Sequence, residues 1–320
     1  MNPHNTSLTA GGSSGGEGAL VAFRGSILGI GTDVAGSIRI PALCCGVYGF
    51  RPTADRVPYG GQVSGYREGI PGLVSTAGPL AQSLEDIELF MSSVVAKEPW
   101  RYDVSAMGAP WTSQYQHSSS DEPKLNIGVL DEHPHFQLHP PVRRALNSAV
   151  EALQKKGHRI VHLERDPKRD LALGNRVAFQ YFTYVGPSKD HIAASGEPAV
   201  PSVAMRSSPM FTGPFSVASD LSPFDTIEQL HSARAAFTDS WRTVWVQKGL
   251  DVILAPGAQN TAVPHDSFGW PPYTCIWNLL DVGLTTYQLL DLIIADHDPC
   301  SIQPASSRME RLRKSSILYR

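Results

Sequence analysis

Two dense glycine runs near the amino end carry serines: Gly11-Gly12-Ser13-Ser14-Gly15-Gly16-Glu17-Gly18, and Gly29-Ile30-Gly31-Thr32-Asp33-Val34-Ala35-Gly36-Ser37. Glycine gives up more backbone freedom on ordering than any other residue. A chain carries that cost where backbone must approach a ligand closely or take up positive φ. Serines in such a setting suit a hydroxyl nucleophile surrounded by free amide N–H groups. Three plainer patterns fit less well. Gly11-Gly12-Ser13-Ser14-Gly15 matches G-x-S-x-G, but that turn needs a preceding strand, and Met1 to Thr9 carries Pro3 and Asn5. No Gly-Lys-Ser/Thr follows, so the phosphate-loop pattern fails. A flexible linker fits Gly12 to Gly18, but not the ordered pattern after it.

The elements that position these serines follow from local pattern. Gly16 to Phe23 reads as a short helix, with Glu17 near its first turn at the positive end of the helix dipole, a capping role. Ser26 to Gly31 is short and apolar, a buried strand or turn leading into the Ser37 loop. Arg51 to Pro79 reads as largely loop, with Tyr59-Gly60-Gly61 and Gly78-Pro79-Leu80 as turns. Ser83 caps a helix reaching about Ala96, whose apolar face is Leu84, Ile87, Met91, Val94 and Val95.

Pro99 to Pro123 reads as a surface connection. Strand Lys124–Leu130, helix Pro140–Lys156 and strand His158–Leu163 then read as a βαβ crossover, with Gly157 at the helix end. His133, His135 and His139 lie in its loop, but without a fourth ligand or H-E-x-x-H spacing they read as plain polar residues rather than a metal site. Asp170 to Val185 is helical and aromatic-rich. Gly196 to Ser222 is loop-like, Thr226 to Lys248 a long helix, and Asp251 to Ala255 a short buried strand.

Composition bounds the function. At 320 residues the chain suffices for one large or two ordinary domains. A net charge of −3 supplies no electrostatic reason for a nucleic-acid or anionic-membrane partner. No apolar run is long enough to span a bilayer, and Met1-Asn2-Pro3-His4 lacks the features of a signal peptide. Cys44, Cys45, Cys275 and Cys300 form no CxxC pair, so reduced thiols in a cytoplasmic protein are the simplest reading. No cofactor is called for.

The stretch from Asn2 to Thr53 closely resembles the amidase signature family, above all its fungal acetamidase-like members. The likeness rests on Gly11 to Leu20, Gly29 to Asp33, Gly36-Ser37-Ile38-Arg39-Ile40-Pro41-Ala42, Cys45-Gly46 and Gly49-Phe50-Arg51-Pro52-Thr53. The resemblance implies an α/β fold, a mixed and mostly parallel central sheet covered by helices on both faces, here incomplete at the amino end. It implies a Ser-Ser-Lys triad. Ser37 resembles the acylated nucleophile, and Ser13 the relay serine held on a cis peptide bond. Val34, Ala35, Gly36 and Ser37 resemble the oxyanion donors, with Ala35 at a position often glycine in relatives. Asp33 and Arg39 resemble braces of the loop.

The family's lysine lies well upstream of the first glycine run. The ten residues ahead of Gly11 contain none. The expectation is therefore an amino-terminally truncated chain without the general base, weak or inactive by itself. Tyr273 to Asp281 resembles a family segment near the substrate channel, and the likeness stops at about Asp281. The expected organisation is one partial domain over 1–281 and a divergent tail over 282–320. That tail either forms an amphipathic helix from Thr285 to Ala295 or is disordered. The partner implied is a small-molecule amide, and the oligomeric state is open, with a homodimer among the options. Two other classes stand beside the hydrolase: a catalytically dead fragment, and a phosphate- or nucleotide-binding module using the glycine loop.

Overall fold

The computed structural model describes residues 1–62, 72–111, 124–185, 194–198, 217, 220–281 and 284–286. The strands nearest the serine runs form one antiparallel sheet. β1 (Leu28–Asp33), β2 (Tyr48–Arg51), β3 (Thr76–Ala81) and β7 (Leu284–Thr286) lie in the order β1-β3-β2-β7. The expected crossover is present as a parallel sheet in the order β5-β4-β6. It comprises β4 (Asn126–Val129), β5 (Arg159–His162) and β6 (Val252–Leu254). The helix α4 (Pro140–Lys155) joins β4 to β5. Fold class is thus α/β with a parallel ladder, while pairing around the serines is antiparallel.

Among the described residues, three apolar clusters hold these layers. The largest joins α4 to α5 (Leu171–Val185), α6 (Pro223–Lys248) and α7 (Pro272–Leu280), with Val177, Phe237, Trp241, Ile276 and Leu279 inside it. Val34 and Ala35, in the loop that carries Ser37, pack against this cluster. A second cluster seats α3 (Leu84–Val95) through Leu84, Ile87 and Met91 on Phe50, Ala77 and Ala81. The third, with Val21, Ile38, Ala42 and Leu80, lies between α1 (Gly15–Ala22), α2 (Arg39–Cys45) and β3. Burying such side chains stabilises by about 1.5–3 kcal/mol each.

Several expected elements shift. Gly78-Pro79-Leu80 is not a turn but the buried middle of β3, paired with Gly31, Ile30 and Gly29 of β1. Proline is tolerated there because the ladder to β2 covers only Leu80 and Ala81, so Pro79 lies beyond it. Gly78 is required for space: a Cβ would collide with the Phe50 carbonyl oxygen. Thr285 and Thr286 lie in β7, paired with Phe50 and Gly49, rather than opening a helix. Residues 287–295 of the expected helix lie outside the described residues, as does most of 196–222. The cap on α3 is as expected, the Asp86 N–H donating to Ser83 Oγ at 3.1 Å. Ser222 caps α6 in the same way through the Asp225 N–H.

Candidate active site

β1 delivers the chain to Asp33, and α2 begins at Arg39. The five residues between them hold Ser37, half-buried at the rim. α1 follows directly on Ser13 and Ser14 and lies along β1. β1 is an edge strand among the described residues, so on that side its outward N–H groups have no described strand to accept them. Two are met by side chains at the start of α1: Thr32 N–H donates to Oγ of Ser14, the residue before the helix, at 3.2 Å, and Ile30 N–H to Glu17 Oε1 at 3.2 Å. Glu17 does sit in the first turn of its helix, but its carboxylate satisfies the neighbouring strand rather than capping α1.

The two serine runs are fastened to each other. The Ser14 N–H donates to the Ser37 carbonyl oxygen at 3.1 Å, and the Gly12–Ser13 peptide is cis, as the resemblance implies for Ser13. Among the described residues, the Ser13 and Ser37 hydroxyls make no hydrogen bond. Ser13 is exposed and Ser37 half-buried, so both can be reached from outside.

Asp33 organises the loop from beneath. Its fully buried carboxylate accepts Gly36 N–H at 2.8 Å, Ile38 N–H at 3.1 Å, Arg39 Nε at 3.0 Å, Arg39 Nη2 at 2.9 Å and Asn278 Nδ2 at 2.9 Å. Burial alone pushes its pKa up. The charge and hydrogen bonds of Arg39, the bond from Asn278 and the charge of Arg51 outweigh this, and hold the carboxyl well below the usual carboxylate range. Arg39 is equally buried, and also donates to the Thr274 carbonyl at 3.0 Å and to Asn278 Oδ1. Asp33 and Arg39 are therefore braces, as the resemblance implies.

Of the four expected oxyanion donors, Gly36 stands apart. Its N–H is committed to Asp33, and its carbonyl accepts Ile40 N–H at 2.7 Å. The N–H groups of Val34, Ala35 and Ser37 donate to no described protein group. Gly36 has φ +129°, a conformation that other L residues rarely adopt, and any side chain there would strike Thr274.

The histidine loop serves structure. His133 is buried; its Nδ1 accepts His135 N–H at 3.2 Å, so its Nε2 carries the proton donated to Asp170 Oδ2 at 2.9 Å. Tyr273 of α7 pins the same loop, accepting His133 N–H at 3.0 Å and donating to the Phe136 carbonyl at 2.8 Å. Among the described residues, no three His, Cys, Asp or Glu side chains are grouped to hold a metal ion, and no helix is long and apolar enough to cross a membrane. Cys44, Cys45 and Cys275 are free and buried. Burial pushes the Cys44 and Cys275 thiols to about 12, so they stay protonated.

Sequence reasoning missed Ser14, Thr274, Asn278 and the pair of Arg51 with Asp281 at 2.9 Å. Thr274 and Asn278 left one readable signal. They are polar residues spaced i, i+4 in an otherwise apolar helix, and buried polar groups need partners.

Comparison with known proteins fits this geometry. The chain matches the family described as Amidase over residues 1–292, eleven residues past Asp281. It is 37% identical over 284 residues to an amidase of Gibberella moniliformis, covering 88% of this chain and 51% of the relative. It is 36% identical over 315 residues to an acetamidase of Aspergillus oryzae, covering 94% and 56%. The chain thus spans about half the length of the curated relatives it matches. Among solved structures, a fatty acid amide hydrolase superposes with a TM-score of 0.76 at 29% identity, over 89% of this chain and 48% of that one. A bacterial aryl acylamidase of the amidase signature family shares the fold at 19% identity and a TM-score of 0.66, over 89% and 60%. With the cis peptide at Ser13, the Asp33–Arg39 brace and these matches together, the chain belongs to the amidase signature family.

Proposed function

We propose that this protein hydrolyses carboxylic acid amides to the acid and ammonia or an amine, through an acyl-enzyme on Ser37. The observation that carries the reading is the bond from Ser14 N–H to the Ser37 carbonyl. It fastens the Ser13 run to a loop whose Val34, Ala35 and Ser37 N–H groups have no described protein acceptor. Ser37 Oγ attacks the amide carbonyl carbon, and its proton passes through Ser13 toward a basic nitrogen. Those three N–H groups take the oxyanion, each worth about 3 kcal/mol of barrier by analogy with measured oxyanion donors. The returning proton allows the amine to leave. Water then cleaves the ester and frees the acid.

The relay ends, by resemblance, on a lysine ahead of Gly11, and residues 1–10 contain none. A polypeptide without that lysine is expected to turn over amides weakly. In Ser-His-Asp hydrolases, losing one triad member leaves an acceleration of about 10³ to 10⁴ from the remaining groups. Similarity to the Aspergillus acetamidase supports small aliphatic amides as substrates. The test is ammonia release from acetamide by the 320-residue chain, alone and extended by a lysine-bearing segment ahead of Met1. Slow release that rises steeply on extension is expected. Folded protein with no release in either form contradicts the reading and favours a dead fragment.

A further inference from the structure

The peptide between Ala35 and Gly36 is held from both sides. Its N–H points to Asp33 Oδ1 at 2.8 Å, and its carbonyl oxygen accepts the Thr274 hydroxyl at 2.7 Å. Thr274 lies 239 positions along the chain, on α7, and is buried. A helical threonine ordinarily turns its hydroxyl back to its own helix. The alternative here is the Pro271 carbonyl, at 3.3 Å, and the single hydroxyl proton goes to the shorter contact with the loop. The Thr274 carbonyl accepts Arg39 Nη1, and Asn278, one turn further on, donates to Asp33. One face of α7 therefore grips the loop at Ala35 and at the two residues that flank the loop, Asp33 and Arg39.

We propose that Thr274 is a positioning residue for the oxyanion loop. The Ala35–Gly36 peptide lies between two of the free donors, Ala35 N–H before it and Ser37 N–H after it. Each peptide unit is planar, so fixing this one leaves the donors to its two sides only the rotations at Ala35 and Gly36. Gly36 is the least restrained residue type in the chain, and without an anchor that hinge is loose. Asp33 holds the N–H end and Thr274 the carbonyl end. Together they stop the plate from rolling, and so aim the flanking N–H groups at one point. Thr274 touches no reacting atom; it acts through Ala35 and Gly36. The inference rests on the amidase reading above.

The test compares Thr274→Ala, Thr274→Val and Thr274→Ser in the 320-residue chain. The first readout is the rate at which a fluorophosphonate modifies Ser37; the second is hydrogen exchange of the Gly36 amide. Misplacing a catalytic group by about 1 Å costs on the order of 100-fold. T274A is accordingly expected to react about 10- to 100-fold more slowly and to exchange Gly36 faster, while T274S stays within about threefold of wild type. T274V keeps the shape without the hydroxyl and should follow T274A, which covers the case where one of the two folds poorly. Melting temperatures of T274A and T274S within a few degrees separate aim from general loosening. If wild type reacts at Ser37 and folded T274A or T274V reacts equally fast, the role of Thr274 is overturned while the amidase reading stands. If folded wild type reacts at Ser37 neither alone nor extended by the lysine-bearing segment, both fall.

Discussion

Arg39 closes a two-pronged ion pair on Asp33, Nε to Oδ2 at 3.0 Å and Nη2 to Oδ1 at 2.9 Å, with both side chains out of solvent. The pair spans the loop that carries Ser37, and the same carboxylate takes two loop amides. Removing one partner of a buried pair leaves the other charge uncompensated, at a cost of about 3–5 kcal/mol. Arg39→Met is expected to lower the unfolding free energy by that order, read from urea denaturation. The double variant Asp33→Asn/Arg39→Met should lose much less than the two singles added together. Additive losses would show that the pair is not a unit.

The same carboxylate sets an acid limit. Its pKa is lowered in the folded chain, whereas an unfolded aspartate titrates near about 3.9. Above that pH both states are ionised and the stabilisation is complete. As pH falls, the unfolded chain takes up the proton first, and the contribution drains away. Unfolding midpoints between pH 6 and pH 3 should fall more steeply in wild type than in Asp33→Asn. Equal slopes would remove Asp33 from the acid response.

Ser14 links three pieces of backbone, and its two roles separate on mutation. Ser14→Ala keeps the N–H donated to Ser37 but removes the oxygen that accepts Thr32 N–H. Thr32 is half-buried, so water can replace part of the bond, and about 1 kcal/mol is the expected loss. Chemical denaturation reads this directly; a loss beyond about 3 kcal/mol would mean that the clasp to Ser37 had opened as well.

Two glycines should refuse alanine for different reasons. Gly36→Ala meets both an unfavourable φ and the Thr274 side chain, so Ser37 modification should fall by at least about tenfold even where the protein remains folded. Gly78→Ala meets the Phe50 carbonyl, which belongs to rigid backbone, and its cost should appear in stability and soluble yield. Full Ser37 reactivity in folded Gly36→Ala would contradict the loop geometry.

Much of this was legible in the chain. The glycine-serine runs pointed to the candidate site because few other demands justify so many glycines, and the alternation of strand, helix and strand from 124 to 163 read directly as a crossover. Local signals failed where distant partners decide. Gly78-Pro79 has turn chemistry, yet becomes strand because β1 pairs with it and β2 falls short of Pro79. Glu17 has a capping position, yet bonds the strand beside it. Thr274 reaches Ala35 across 239 positions, a contact that periodicity within one helix cannot express.

The most direct measurement is mass-spectrometric mapping of the folded 320-residue chain after exposure to a fluorophosphonate. The expected result is one adduct on Ser37, formed slowly in wild type, more slowly still in Ser13→Ala, and absent from Ser37→Ala. A folded chain that stays unmodified at Ser37 both alone and extended by the lysine-bearing segment, or that carries its adduct on another residue, would contradict the assignment of Ser37 as the acyl acceptor.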